Sequence, residues 1–313
     1  MTGNGIFLSI LIPTWKRVDS VVEAVLSVDI RHLDDVEIII VDNASEMEIY
    51  NALEEKLGKI QAVKLYRNDS NIGMVGNWNR TMALASGEWL GLLCSDDQYI
   101  KGRLEYCYEL MKRTTVPALI IQDPSISEDV QYFEAGEKTI KTMRYPQPSG
   151  NFWHKELVGT LGPFDEQFEY SPDAEYWPRM ITKFPLIKLK NKNARYHQHE
   201  ENYMWSTWRE EDFLEQMMSI EMRVLGYLYP KLSEEERMRL FDHSQSATLE
   251  TMLLTSVGRF GKGDIVRKYF PIYWERIKGN RAKLFFVWKL IKMSLRNPLW
   301  QFVRKCGYED KFK

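Results

Sequence analysis

The sequence predicts an α/β fold, with a mostly parallel central sheet flanked by helices and a helical C-terminal region, on three observations. Short β-rich runs alternate with helical patterns from Leu8 to Leu93, two of the strands are continuously apolar, and past Trp205 the pattern becomes almost wholly helical.

The elements follow in order. Leu8–Ile12 reads as the first strand and Val18–Ser27 as the helix after it. Val36–Val41 with Ile49–Leu57, and Val63–Tyr66 with Asn77–Ala85, repeat that pair before Trp89–Leu93 closes the series. Ile10-Leu11-Ile12 and Ile38-Ile39-Ile40-Val41 contain no polar residue, as strands covered on both faces require. Ligands of such sheets sit beyond the carboxyl ends of the strands. Pro13-Thr14-Trp15, Asp42-Asn43 and Ser95-Asp96-Asp97 are therefore expected to converge on one crevice. From Gln122 to Pro148 the text is turn-rich and alternating, which fits loops and a few antiparallel strands. Phe213–Leu228, Glu234–Phe241 and Ser246–Val257 read as amphipathic helices. The domain boundary is placed near Trp205, giving a catalytic region 1–205 and a helical region 206–313.

Composition narrows the function classes. Lys and Arg number 42 against 44 Asp and Glu, a net charge of -2, so the molecule as a whole is not a nucleic-acid binder by electrostatics. Cys94, Cys107 and Cys306 are scattered and out of metal-ligand spacing, which fits a reducing compartment. Met1 to Gly5 lacks a basic n-region, and the apolar run Ile6 to Ile12 stops at Pro13, too short for a signal or a span, so a cytoplasmic location is expected. The stretch from Arg281 to Cys306 carries seven basic and no acidic residues, interleaved with Phe285, Phe286, Trp288, Trp300 and Phe302. Such a helix can lie on an anionic membrane surface from the cytoplasmic side, or pack on the rest of the chain with its cations solvated, and both readings stand.

Chemistry concentrates at Asp96-Asp97, directly after the apolar strand Trp89–Leu93. Two adjacent carboxylates at a strand end are costly unless a cation or solvent compensates them. Mg²⁺ and Mn²⁺ prefer oxygen ligands and bridge carboxylate to diphosphate. An acidic turn capping the next helix is the plain alternative for an isolated Ser-Asp-Asp.

The context of that pair resembles a family 2 glycosyltransferase of the GT-A fold. The matching phrases are Leu11-Ile12-Pro13-Thr14-Trp15-Lys16-Arg17, Ile39-Ile40-Val41-Asp42-Asn43-Ala44-Ser45, Asn71-Ile72-Gly73 leading to Gly76-Asn77-Trp78-Asn79, and Ala85-Ser86-Gly87-Glu88-Trp89-Leu90 running into Ser95-Asp96-Asp97. Leu161-Gly162-Pro163-Phe164-Asp165-Glu166 and Asp173-Ala174-Glu175-Tyr176-Trp177-Pro178-Arg179 continue it in order, so the resemblance spans Leu8 to His199. It implies that Pro13, Thr14 and Arg17 border the nucleotide, that Asp42 meets base or ribose, and that Asn71 and Gly73 lie by the nucleotide sugar. It implies further that Ser95 and Asp96 contact the donor and that Asp96 and Asp97 hold a divalent cation, Mn²⁺ or Mg²⁺. For Asp42-Asn43-Ala44-Ser45 a turn and helix cap is compatible with that role.

Asp173 matches the second residue of the family's Glu-Asp base motif, with Pro172 in place of the glutamate, and Glu175 is the fallback, although two residues along a helix it points elsewhere. Ser171-Pro172-Asp173 also reads as a helix start with Ser as cap, and Pro178 should shorten or kink that helix. Arg195-Tyr196-His197-Gln198-His199 resembles the element in which a histidine completes the metal site, with His197 the first choice and His199 the second. Trp153, Trp177, Trp205 and Trp208 are candidates for stacking on sugar rings. Two departures stand out: Cys94 where many relatives are acidic, and Lys16 where asparagine is common.

The expected activity is inverting transfer from a nucleotide-diphospho-sugar, UDP-linked, to a saccharide or lipid-linked saccharide of a surface polysaccharide. A sugar nucleotidyltransferase would show a glycine-rich loop after the first strand, which Pro13–Arg17 lacks. A non-catalytic binder of nucleotide-sugar or of a partner is the other alternative, favoured by Cys94 and Pro172.

Overall fold

The computed structural model describes residues 5–30, 33–142, 147–197, 212–238 and 263–276, with single positions at 210, 253 and 283. Three strand and helix pairs open the chain. They are β1 (Leu8–Thr14) with α1 (Asp19–Ser27), β2 (Val36–Asp42) with α2 (Met47–Leu57), and β3 (Val63–Arg67) with α3 (Gly73–Leu84). β4 (Trp89–Leu92), the short β5 (Gln98–Tyr99), α4 (Arg103–Arg113), β6 (Leu119–Gln122), β7 (Val130–Phe133) and the single turn α5 (Glu137–Ile140) come next. β8 (Asn151–His154), α6 (Lys155–Leu161), α7 (Asp173–Ile181), β9 (Leu186–Leu189) and β10 (Ala194–Arg195) complete the sheet region, and helices Phe213–Leu228 and Gly263–Arg276 follow.

Eight strands form one sheet in the order β3-β2-β1-β4-β8-β6-β9-β7. Only β8 and β7 run against the rest, so the sheet is mostly parallel as predicted. Both faces are covered, which is why β1 and β2 are buried at every residue. Ile10, Ile12, Ile38 and Ile40 face α1, α2 and α4 through Val21, Val25, Leu53, Leu104 and Met111. Leu11, Ile39, Val41 and Trp153 face α3, α6 and α7 through Trp78, Met82, Leu157, Tyr176 and Trp177. Each such side chain contributes about 1.5–3 kcal/mol by leaving water.

Polar residues at the amino edge of this sheet are paired. Ser9 and Glu37, at the amino ends of β1 and β2, are 0% and 2% exposed. The Ser9 hydroxyl donates to Glu37 at 2.6 Å, Lys64 and the Ser86 N–H donate at 2.7 Å each, and the Gly87 N–H donates to Ser9 at 2.8 Å. Burial pushes the Glu37 carboxyl up, but those bonds outweigh it and hold it below the ordinary glutamate range. A Cβ on Gly87 would come within 2.6 Å of the Ser9 nitrogen, so the chain needs glycine where it passes β1.

The chain divides into two compact units, Met1–Asn202 with Ser219–Pro230, and Tyr203–Met218 with Lys231–Lys313. Phe213–Leu228 is helical, as its periodicity predicts. Among the described residues no helix is long and apolar enough to cross a membrane. His199, Trp205, Trp208, Ser246–Val257 apart from Leu253, and the basic stretch 281–306 apart from Lys283 lie outside the described residues.

Candidate functional site

The sheet changes direction at β1. From there β2 and β3 extend one way and β4 the other, and such a switch point opens a crevice beyond the strand ends. β1 pairs with β4 only as far as Leu11, where the Leu93 N–H meets the Leu11 carbonyl at 2.9 Å. Pro13, two residues on, has no N–H with which to continue a ladder. Pro13 and Thr14 stay paired to Val41 and Asp42 of β2, so the β1 and β4 ends part here. Arg17 spans the gap to Asp96 at 3.3 Å.

On the β2 side the expected residues gather, held by amides. Asn43 donates to the Asn71 side chain at 2.9 Å and to the Gly73 carbonyl at 3.0 Å, and it accepts from Asn68 at 2.8 Å and from the Ile72 N–H at 3.0 Å. Asn68 also donates to Asn77 at 3.0 Å, and Asn77 donates to the Val41 carbonyl at 3.0 Å. These four asparagines fasten the ends of three strands to the start of α3. Gly73 opens that helix at φ +77, and Asn71 accepts its N–H at 2.9 Å. Asn68 lies outside the phrases quoted above and Asn77 within one of them without an assigned role, because four asparagines spread along the sequence show no common period.

Asp42 is fully buried and makes the turn. Its carboxylate accepts the Ser45 N–H at 2.9 Å and the Ser45 hydroxyl, with Arg67 at 3.7 Å. The Thr14 hydroxyl is buried without a hydrogen-bond partner among the described residues. Trp15, half exposed at 48%, is the large aromatic at this rim. The tryptophans expected to stack on sugar are elsewhere: Trp153 and Trp177 are 0% exposed and pack together at 5.4 Å with Phe164 and Tyr176. Both belong to the core, because β8 and α7 turn those positions onto the covered face of the sheet.

On the β4 side Leu93 leads into a turn closed by the Asp97 N–H on the Cys94 carbonyl at 2.9 Å, with Ser95 buried inside it. Asp97 is 1% exposed. It accepts the Ser149 hydroxyl at 2.5 Å and the His197 backbone N–H at 3.0 Å. Desolvation by burial lifts the Asp97 carboxyl to about 7 in spite of those bonds. His197 thus reaches the acidic pair through its backbone, and among the described residues no three His, Cys, Asp or Glu side chains are grouped to hold a metal ion. The expected set of Asp96, Asp97 and His197 does not form such a group.

Asp173 opens α7 and is partly buried. The helix begins after Pro172, which has no polar side chain to cap it, and Ser171 sits at φ +59 instead of acting as the expected cap. Burial raises the Asp173 carboxyl to about 6, against hydrogen bonds from its own and the Ala174 N–H. Glu175 points the other way, 0% exposed, paired with Arg179 at 3.0 Å and accepting the Tyr227 hydroxyl at 2.5 Å. Both of its oxygens are thus engaged inside the fold. Desolvation raises the Cys94 thiol well above its usual range, and the charges of Asp97, Asp96 and Asp173 raise it further. The Tyr196 phenol, lifted first by burial, also feels Asp97, Asp96 and Asp173. The acidic pair and Asp173 therefore act on the same two groups.

A mostly parallel sheet with polar side chains gathered beyond its strand ends at the switch point is the architecture of α/β proteins that hold their ligands at that edge. Residues 9–162 match the family described as Glycosyl transferase family 2, and the chain carries such a domain in the GT-A fold. An uncharacterized glycosyltransferase of Mycoplasma genitalium, MG060, is 25% identical over 159 residues, 49% of each chain. This chain thus spans about half the length of that relative. The putative colanic acid biosynthesis glycosyl transferase WcaA of Escherichia coli is 21% identical over 58% of this chain and 68% of its own. Among solved structures, S. aureus TarS 1-349 in complex with UDP-GlcNAc has a TM-score of 0.58 at 14% identity, covering 96% of this chain and 92% of that one. Full TarS is matched over 54% of its length, with a TM-score of 0.55 at 15% identity over 92% of this chain. The Pyrobaculum calidifontis mannosyltransferase PcManGT, in complex with GDP-Man and Mn²⁺, has a TM-score of 0.54 at 13% identity, covering 94% of this chain and 87% of that one. At these identities the structural likeness speaks for the fold.

Asn68→Ala removes the donor shared by Asn43 and Asn77, and is expected to cost about 1–3 kcal/mol in urea unfolding at an unchanged m-value. An unchanged urea midpoint would show that the asparagine network adds nothing to the stability of these strand ends.

Proposed function

We propose that the protein is an inverting glycosyltransferase that moves a sugar from a UDP-sugar to an acceptor hydroxyl. The observation that carries this reading is that the carboxylates of Asp96 and Asp97, beyond β4, and of Asp173, on α7, all bear on the Cys94 thiol and the Tyr196 phenol. The domain match and the UDP-GlcNAc complex of a structural neighbour support a nucleotide-sugar donor.

The chemistry follows from these positions. Thr14, with its unpartnered buried hydroxyl, and the Asn43–Asn71–Gly73 corner border the nucleotide, with Asp42 behind them. Arg17 and Asp96 border the diphosphate. The acceptor oxygen attacks the anomeric carbon on the face opposite the diphosphate and gives its proton to Asp173. The bond from that carbon to the diphosphate oxygen breaks, and the nucleoside diphosphate leaves with the electron pair. A divalent cation, when bound, would neutralise the developing charge on the diphosphate. Asp96, whose side chain keeps 17% exposure at the strand end, would offer such a cation a carboxylate oxygen, with further ligands from diphosphate and water. Mn²⁺ in the PcManGT complex supports the same choice.

The acceptor is proposed to be a saccharide or lipid-linked saccharide in surface polysaccharide synthesis at the cytoplasmic membrane face. Its support is the name of WcaA and the basic aromatic stretch 281–306.

Asp173→Asn is expected to cut Mn²⁺-dependent release of UDP from a panel of UDP-sugars by about 10²–10⁴-fold, with UDP affinity preserved. Turnover that survives this change would remove Asp173 from the base role, and a wild-type chain that binds UDP but turns over no donor would leave a binding protein. With its carboxyl raised to about 6, Asp173 is protonated and unable to accept below that pH and ionised above it. The log of kcat/KM should therefore drop with unit slope as pH falls through about 6, and a flat profile there would contradict the assignment. Deleting residues 281–313 should abolish sedimentation with anionic liposomes, and equal recovery of both forms would dismiss the membrane contact.

A further inference from the structure

We infer that the adjacent carboxylates have different tasks: Asp96 meets the cation and diphosphate, whereas Asp97, oriented by Ser149, is a positioning residue that ties the Tyr196–His197 segment to the end of β4. This rests on the proposed function and adds a role for Ser149, which no sequence signal suggested. A carboxylate ligand must offer an oxygen to the crevice. The Asp96 side chain keeps 17% exposure at the switch point, while Asp97 is 1% exposed with one oxygen taken by Ser149 and the other by the His197 N–H.

The geometry around Ser149 fixes the direction of that bond. Its hydroxyl oxygen accepts the Cys94 N–H at 2.9 Å, and a backbone N–H can only donate, so the hydroxyl proton goes to Asp97 at 2.5 Å. Ser149 thereby clamps both ends of the Cys94–Asp97 turn. Its own backbone is held by Gln122, which donates to the Ser149 carbonyl at 2.8 Å and accepts the Asn193 N–H at 2.8 Å. Asn193 donates to the Gly150 carbonyl at 2.8 Å. Gly150 takes φ +82, and a Cβ there would lie 3.0 Å from the Ala194 nitrogen, so the loop packs against the β10 segment with no side chain between. The clamp is thus anchored to β6 and to the start of β10, and Asp97 carries it across to residue 197.

Hydrogen bonding, not charge, is what this role asks of residue 97. Asparagine can still accept the His197 N–H through its oxygen, while its amide donates to the second lone pair of the Ser149 oxygen and the bond to Ser149 reverses direction. The test is UDP binding by calorimetry to the full chain, with Mn²⁺ and with EDTA, alongside turnover and thermal melting. Asp96→Asn is expected to abolish the gain in UDP affinity that Mn²⁺ confers. Asp97→Asn should keep that gain to within about tenfold, less than the loss typical of a disrupted ligand shell, and should melt near the wild type. Ser149→Ala should lower turnover by about tenfold or more, with Ser149→Thr restoring it. If Asp97→Asn loses the Mn²⁺ gain as Asp96→Asn does, or fails to fold, or if Ser149→Thr is no better than Ser149→Ala, the assignment is overturned while the proposed function stands. A wild-type chain that binds UDP equally in Mn²⁺ and in EDTA would overturn the cation reading and this assignment together.

Discussion

A sheet covered by helices on both faces tolerates polar side chains only where its strands end or where every polar atom finds a partner. In this protein that constraint does most of the placing. β1 and β2 are apolar through their middles, and their polar residues appear at the two edges, Ser9 and Glu37 at one and Thr14 and Asp42 at the other. The amino edge closes on itself through Lys64, Ser86 and Gly87. The carboxyl edge stays open because the β1–β4 ladder stops at Leu11, so the loops after both strands have a gap to face. Arg17 and Asp96 come together across it.

The two sides of this gap are stiffened differently. On the β2 side, neutral amides that can donate and accept at once join Asn43, Asn68, Asn71 and Asn77. On the other side carboxylates are dehydrated, and burial raises the carboxyls of Asp97 after β4 to about 7 and of Asp173 on α7 to about 6. Amides give fixed shape without net charge, which suits the recognition of a base and ribose. Dehydrated carboxylates store a demand for positive charge or for protons, which suits a diphosphate-bound cation and an acceptor hydroxyl.

What could be read beforehand follows from which signals are local. Continuous apolar runs announce strands buried on both faces, so β1, β2 and β4 were legible, and with them the place of Asp96-Asp97 just beyond a strand end. The far half of the sheet was not. β8 slips between β4 and β6 with antiparallel pairing, an order set by contacts between distant segments. Ser149 reaches Cys94 and Asp97 from more than fifty residues away, and nothing in Pro148-Ser149-Gly150 marks it. Trp153 and Trp177 show the limit of residue type as a guide, since an aromatic suited to stacking on sugar is equally suited to filling a core. Glu175, the fallback base that helix spacing turns away from Asp173, is held where it points by Arg179 and by Tyr227, the second a partner no local pattern announces.

Cys94 gives this acidic edge a particular character. Its thiol is driven well above the usual range by burial and by its carboxylate neighbours, so it stays neutral where an aspartate would add a third charge to the turn. On the proposed reading, an empty crevice then repels itself less and grips a lone divalent ion more weakly.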